Sequence, residues 1–279
     1  MKFTKMHGAG NDYVYIDARA EDRDWPALSI AMSDRHTGVG SDGIILAWES
    51  DKADIKMRMF NADGSEGEMC GNGIRCLVRF AMERGIVSAG ASPISVDTLA
   101  GVKQVTPLWE DGKMARAKVG MGEPLLRAED IPVIAPGHEV VVDYPLQIDG
   151  RTFSISCVSM GNPHAVAFVD EPVAEVPLHE LGPMVEHHAM FPRRVNFEIV
   201  NVVDRRSLEA RVWERGSGLT MACGSGASAL AVVARLHDYI DDEVAVCLPG
   251  GELIVRWDGH GPVELEGPIE EVFSGEWPD

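Results

Sequence analysis

"EMCGNGIRC" (residues 68–76) sets a cysteine directly before Gly-x-Gly, at the entrance to the run "GIRCLVRFAMERG" (73–85), which predicts a helix. The first turn of a helix carries N–H groups without intrahelical partners, and the positive end of the helix dipole. Both favour a thiolate over a thiol, and both favour a bound carboxylate. Glycine after the cysteine lets a ligand approach the backbone. The arrangement returns in "MACGSGASA" (221–229), where Cys223 follows Cys70 by 153 positions and opens a second helical run, "GASALAVVARLHD" (226–238). That run is apolar on nearly every side and is expected to be buried all round.

The spacing extends beyond the cysteines. "RMFNADGSEGEMCGNG" (58–73) lies over "RVWERGSGLTMACGSG" (211–226) without a gap, pairing Arg58 with Arg211, Phe60 with Trp213 and Asn61 with Glu214. "GND" (10–12) lies over "GNP" (161–163), and "SVDTLAGVKQV" (95–105) over "AVCLPGGELIV" (245–255), at nearly the same offset. Each match is weak alone; their common order reads as a duplicated unit. Short β-branched runs such as "YVYID", "IILAW", "IKMRMF", "FSISCVS", "AVAFV", "VNFEIVNVV", "LEARVW" and "LIVRW" read as strands. One buried helix amid many strands in each half gives an α+β fold of two pseudo-symmetric lobes, each a mostly antiparallel curled sheet or barrel around a central helix. The Pro- and charge-rich stretch 121–139 reads as the connection. It divides the chain into 1–122, carrying Cys70, and 123–279, carrying Cys223, with a return of the extreme C-terminus to the first lobe as the alternative for the last residues.

A chain of 279 residues is comfortable for two lobes, and its 45% hydrophobic, 25% charged composition is that of a globular protein. A net charge of −19 argues against nucleic acid or an anionic membrane as partner. No signal-like N-terminus and no run of about 18 apolar residues is present, so a cytoplasmic protein with no membrane association is expected. An odd count of five cysteines then points to reduced thiols rather than a disulfide framework. "GVGSDG" (38–43) formally matches G-x-G-x-x-G, but no strand precedes it and a strand follows, so it is discounted.

Two helix-capping cysteines brought to opposite faces of one carbon can invert it. One thiolate removes a proton and the thiol opposite returns one, while N–H groups stabilise charge moving onto the adjacent carboxylate. No pyridoxal phosphate is needed if this electrostatic stabilisation is large enough. "HGAGNDY", "MCGNG", "GNPHAV", "VNF" and "WERGSGLTMACGSG", in this order along almost the whole chain, closely resemble the diaminopimelate epimerases. Proline racemases share the two-cysteine logic and differ around the motifs; phenazine-biosynthesis relatives share the fold and lack the pair.

The resemblance implies interconversion of L,L- and meso-diaminopimelate for lysine and cell-wall synthesis, with no cofactor and no metal, in an inter-lobe cleft that closes on its ligand, by a homodimer. It implies Cys70 and Cys223 as the catalytic pair. Gly71, Asn72, Gly224 and Ser225 would hold the α-carboxylate through their backbone. Asn11, Asn61, Asn162, Asn196, Glu214 and Arg215 would bind the remaining substrate groups, and His164 and Glu214 would tune the thiols. An amide cluster with one Arg and one Glu suits a substrate with an amine and a carboxylate at each end. There is one departure: Gly43 stands where many family members carry glutamine, and its counterpart in the second repeat is Asn196.

From the residues alone, His164 reads equally as a turn histidine hydrogen-bonded before "AVAFV". His7 reads as structural, and His187, His188, His237 and His260 as surface. Arg75 and Arg79 read as structural partners, and Cys76, Cys157 and Cys247 as small buried hydrophobes. Two other classes compete. Cys70, Cys223, His164 and Glu214 could form a zinc site, although no close-spaced C-x2–4-C pair is present; zinc required for activity would show it. The two thiols could instead form a regulatory disulfide; an epimerase would need reductant and lose activity on oxidation.

Overall fold

The computed structural model describes residues 1–278. The chain divides into two compact units, Met1–Gly120 with the segment from Glu266 onward, and Met121–Leu265. The first contains β1 (Lys2–Gly8), β2 (Asn11–Asp17), α1 (Trp25–Ser33), β3 (Gly43–Trp48), β4 (Ile55–Asn61), β5 (Glu66–Gly67), α2 (Gly71–Glu83), β6 (Ile94–Thr98), β7 (Gly101–Glu110) and β8 (Lys113–Gly122). The second contains β9 (Tyr144–Ile148), β10 (Arg151–Ser159), β11 (Pro163–Phe168), α3 (Leu178–Glu186), β12 (Asn196–Asp204), β13 (Ser207–Glu214), β14 (Gly218–Leu219), α4 (Gly224–Leu236), β15 (Glu243–Leu248) and β16 (Gly251–Arg256), and β17 (Val263–Pro268) begins in it and ends in the first. β18 (Glu270–Glu276) then pairs antiparallel with β1.

Both units follow one grammar. In the first, β1–β2, β3–β4 and β6–β7 pair antiparallel, while β2–β3 and β4–β6 pair parallel. In the second, β10–β11, β12–β13 and β15–β16 are antiparallel, while β11–β12 and β13–β15 are parallel. A parallel pair needs a crossover, and α1, α2, α3 and α4 each supply one. The duplication read in the sequence is therefore present strand for strand.

Strands between two helical layers must be apolar on both faces. β3, "GIILAW", shows this: Ile44 and Leu46 join Trp25 and Met32 of α1 in one core cluster, and Ile45 points at α2. β12 repeats the pattern, with Phe197 and Ile199 packed with Leu178, Leu181 and Val185 of α3. Alternation then turns Glu198 the other way, toward α4. α2 packs against β1, β2, β3 and β7, and α4 against β10, β11, β12, β15 and β16. The stretch 121–139 belongs to the second unit and contributes Ala128, Ile131, Val133 and Ala135 to its core, more than a connection would. Among the described residues, no helix is long and apolar enough to cross a membrane.

Candidate active site: two helices capped by cysteine

Cys70 is the N-cap of α2 (φ −129°, ψ 120°), and its Sγ accepts the Gly73 N–H at 3.3 Å. Cys223 is the N-cap of α4 (φ −120°, ψ 115°), and its Sγ accepts the Gly226 N–H at 3.3 Å. A side-chain acceptor at N-cap usually takes the N2 or N3 amide. Here sulfur does so twice, and Gly71–Asn72 and Gly224–Ser225 form the first helical positions that follow.

Around Cys70, the thiol donates to Asn11 Oδ1 (3.1 Å), and Asn72 Nδ2 donates to the same oxygen (3.4 Å). Asn11 Nδ2 donates to Asp42 Oδ2 (2.7 Å), which fixes the amide so that its oxygen faces the thiol. Arg75 lies wholly buried behind the loop, giving Nη1 to the Gly71 carbonyl (2.9 Å) and Nη2 to Asn72 Oδ1 (2.8 Å). Tyr15 donates to the Gly73 carbonyl (3.2 Å). Burial pushes both Tyr13 and Tyr15 well above the ordinary phenol value, so both hydroxyls stay neutral.

Around Cys223, the sulfur lies 3.5 Å from Ser225 Oγ, which accepts from Asn162 Nδ2 (3.3 Å). Asn162 Oδ1 meets His164 Nε2 (3.0 Å), and His164 Nδ1 meets Glu198 Oε1 (2.6 Å), with both His164 and Glu198 fully buried. Glu214 accepts from Thr220 Oγ1 (2.5 Å). Burial raises Glu214 and Glu198 above the ordinary carboxylate value, with His164 opposing at Glu198. Burial, then the Glu214 charge, pushes Cys223 well above the ordinary thiol value.

The structure thus gathers Asn11, Gly71 and Asn72 with Cys70, and Asn162, His164, Glu214, Gly224 and Ser225 with Cys223. Asn196 works behind the second group: its Oδ1 takes the Arg215 amide (2.8 Å) and its Nδ2 donates to the Pro163 carbonyl (2.9 Å). Arg215 is exposed, and its Nη1 donates to the Arg193 carbonyl (3.2 Å). Asn61 Nδ2 holds Ser65 Oγ (2.9 Å) in its own turn. At Gly43 (φ +156°) an added Cβ would overlap the Phe60 carbonyl, so the backbone excludes a glutamine there.

Of the residues read as structural, Arg79 bonds Glu83 (2.8 Å) and the Ile269 carbonyl (3.2 Å), and His7 Nδ1 accepts from the Gly10 amide (3.4 Å). Cys76 is buried and pushed up to about 12. His237, expected at the surface, is instead packed edge-on to Phe168 and stacked on Tyr239. Three supporting carboxylates escaped the sequence reading. Asp42 orients Asn11, Glu198 lies under Cys223, and Glu186 accepts from Trp213 Nε1 (2.8 Å) and the Gly216 amide (3.0 Å) beside the Glu214 turn. Only a spaced acidic residue marks each in sequence, and their partners lie on other elements.

The family model for diaminopimelate epimerase matches residues 3–126 and 156–270. Curated diaminopimelate epimerases of Acetivibrio thermocellus and Methanococcus maripaludis are 48% and 47% identical to the chain, covering 99% of it and 98% and 99% of their own lengths. Among solved structures, a PhzF-family phenazine biosynthesis protein of Bacillus anthracis superposes with a TM-score of 0.70 at 16% identity, covering 100% of this chain and 99% of that one. A probable proline racemase of Agrobacterium radiobacter superposes with a TM-score of 0.72 at 12% identity, over 99% and 92%. These two likenesses carry the fold. The family-model match and the full-length identity to curated relatives carry more: the chain belongs to the diaminopimelate epimerase family, isomerases that act on an amino-acid derivative.

Proposed function

We propose that the protein interconverts L,L- and meso-diaminopimelate without a cofactor, using Cys70 and Cys223 as thiolate and thiol on opposite faces of one Cα. Family membership supports the substrate. The observation that carries the mechanism is the twofold construction of a cysteine N-cap with the same backbone angles and the same sulfur-to-amide bond. The thiolate takes the Cα proton; the electron pair left behind moves onto the α-carboxylate; the opposite S–H gives its proton to the other face. Protons and charge balance, and the next turnover starts with the roles of the thiols exchanged. Amides of Gly71, Asn72, Gly224 and Ser225, at two positive helix ends, stabilise the charge as it develops. Asn11, Asn61, Asn162, Asn196, Glu214 and Arg215 contribute to recognition of the amine and carboxylate groups, and His164 and Glu214 to thiol ionisation. A dimeric, cytoplasmic enzyme fits this reading.

Cys70→Ala and Cys223→Ala each remove one obligatory proton carrier. Each is expected to abolish epimerisation with the circular-dichroism spectrum and Tm retained. The serine variants should also be severely impaired, because a hydroxyl is far harder to ionise than a thiol. Near-normal turnover by either alanine variant would end the two-base reading.

A further inference from the structure

The two half-sites share a backbone and differ in the charge beneath it. Arg75 stands five residues beyond Cys70, fully buried; its two Nη atoms bond neutral oxygens, Nε has no partner, and among the described residues no carboxylate forms an ion pair with it. At the matching position of α4, Ser228 donates to the Gly224 carbonyl (2.9 Å), as Arg75 does to Gly71, but brings no charge. Beneath Gly73 lies the apolar Ile45. The matching residue of β12 is Glu198, whose Oε1 lies 3.1 Å from where a Cβ on Gly226 would stand and whose Oε2 has no partner. A guanidinium stays charged wherever it is buried, and its field is weakly screened there. The duplication is therefore symmetric in backbone, with a buried guanidinium behind one cysteine and a buried carboxyl, bonded to His164, beneath the other.

We propose that Arg75 and Glu198 are positioning residues of opposite sign that set the order in which the thiols ionise, Cys70 before Cys223. The resting protein then holds its proton on Cys223. This rests on the reading of the pair as acid and base, and adds which member starts as which.

The other groups around each sulfur are consistent with that order. Cys70 faces Tyr13 and Tyr15 of β2, both neutral, and the Cys76 thiol of α2, also neutral. Asp42 is bonded to Asn11, whose oxygen takes the thiol, and Asp42 is itself raised by burial and by Asp12. Asp12 is matched by Lys5 (2.9 Å) and Arg35 (2.8 Å), and Arg116 of β8 is matched by Glu266 (2.7 Å). Ionisation of Cys70 gives up its bond to Asn11 Oδ1 and keeps the Gly73 amide. Cys223 faces Glu214 of β13, Glu198 of β12 and His164 of β11; Cys157 of β10, beside Glu198, is kept neutral by burial. Two carboxylates oppose its ionisation, and the Gly226 amide and Ser225 support it.

The test is alkylation of the full chain by iodoacetamide across pH, with each cysteine followed by peptide mass spectrometry. The midpoint is read, not the rate, because restricted access slows alkylation of Cys223 whatever its ionisation; burial itself raises that midpoint, so the charge variants isolate the roles of Arg75 and Glu198. The wild type should give a lower midpoint for Cys70 than for Cys223. Glu198→Gln should lower the Cys223 midpoint by about one pH unit or more and leave Cys70 in place. Arg75→Gln should raise the Cys70 midpoint, and Arg75→Lys, which keeps the charge, should return it toward wild type. A merely structural Arg75 would give no such sorting by charge. Coincident or reversed wild-type midpoints, or a folded Glu198→Gln protein with an unmoved Cys223 midpoint, would overturn the proposal. If Arg75→Gln does not fold, those two results still decide. A wrong order, with Cys70→Ala and Cys223→Ala both inactive, refutes the polarity and leaves the acid-base pair standing.

Discussion

Cys70 and Cys223 were legible because an N-cap is a local device: one residue, its φ/ψ and an amide three positions on. Asn11 and Asn162 were legible through the resemblance, and each meets its cysteine loop. Asp42, Glu198 and Glu186 were not, because nothing in a single sequence says which distant strand or helix will face them. Gly43 departs from the family pattern of glutamine, and the structure gives the reason. Its Cβ space is filled by the Phe60 carbonyl. Gly43→Gln is therefore expected to destabilise the protein by about 1–3 kcal/mol rather than tighten substrate binding, checked by urea unfolding beside KM. A lower KM in a protein of unchanged stability would contradict this. Arg215 is exposed, and among the described residues its guanidinium bonds a carbonyl and no carboxylate, so its charge is available to one. Arg215→Ala should raise KM by roughly one to two decades, the worth of a charge-assisted contact. An unchanged KM would make Arg215 structural.

At the scale of elements, the two long helices and the apolar strands followed from periodicity, because α2, α4, β3 and β12 are buried against other layers and their residues carry that burial. Both helices begin two residues earlier than the apolar runs suggested, since the Gly-x-Gly turns are helical. α1 and α3 were missed. α1, "WPALSIAMS", is short, but Asp24 caps the Ala27 amide (3.1 Å) and Pro26 sits in the first turn, a signal available in the sequence. α3, "LHELGPMVE", has a proline at its N-cap, which makes no side-chain cap bond, and carries Gly182 and Pro183 inside. Tertiary packing outweighs its propensity. Gly182 faces the Trp213 ring so closely that a Cβ would overlap it. Gly182→Ala should lower stability by about 1–3 kcal/mol and disturb the Trp213–Glu186–Gly216 bonds beside Glu214. Thermal unfolding followed by tryptophan fluorescence reads both; an unshifted Tm would show that α3 yields without loss.

At the scale of the whole molecule, the repeat was the most informative feature, since it carried fold and chemistry together. A return of the extreme C-terminus to the first lobe was among the sequence expectations, but its pairing through β18 with β1 follows no local pattern and is read from the structure. Charge balance also belongs to this scale. Burial works to raise Asp12, but the bonds from Arg35 and Lys5 outweigh it and hold Asp12 below the ordinary carboxylate value. A depressed folded-state pKa stabilises fully above the unfolded value, and that contribution is lost as pH falls through the folded one. Asp12→Asn should thus be less stable at neutral pH and lose less stability below about pH 4. Parallel acid-unfolding curves for variant and wild type would contradict this. The central claim is that two different thiols serve the two faces of one carbon. The most direct test incubates L,L-diaminopimelate with reduced enzyme in D2O and follows the isotope at the inverted Cα by mass spectrometry and NMR at early conversion. A two-thiol route puts solvent deuterium into the meso product while unreacted L,L substrate stays protium. Product that retains the substrate's own proton would mean one base working both faces, and would contradict the account.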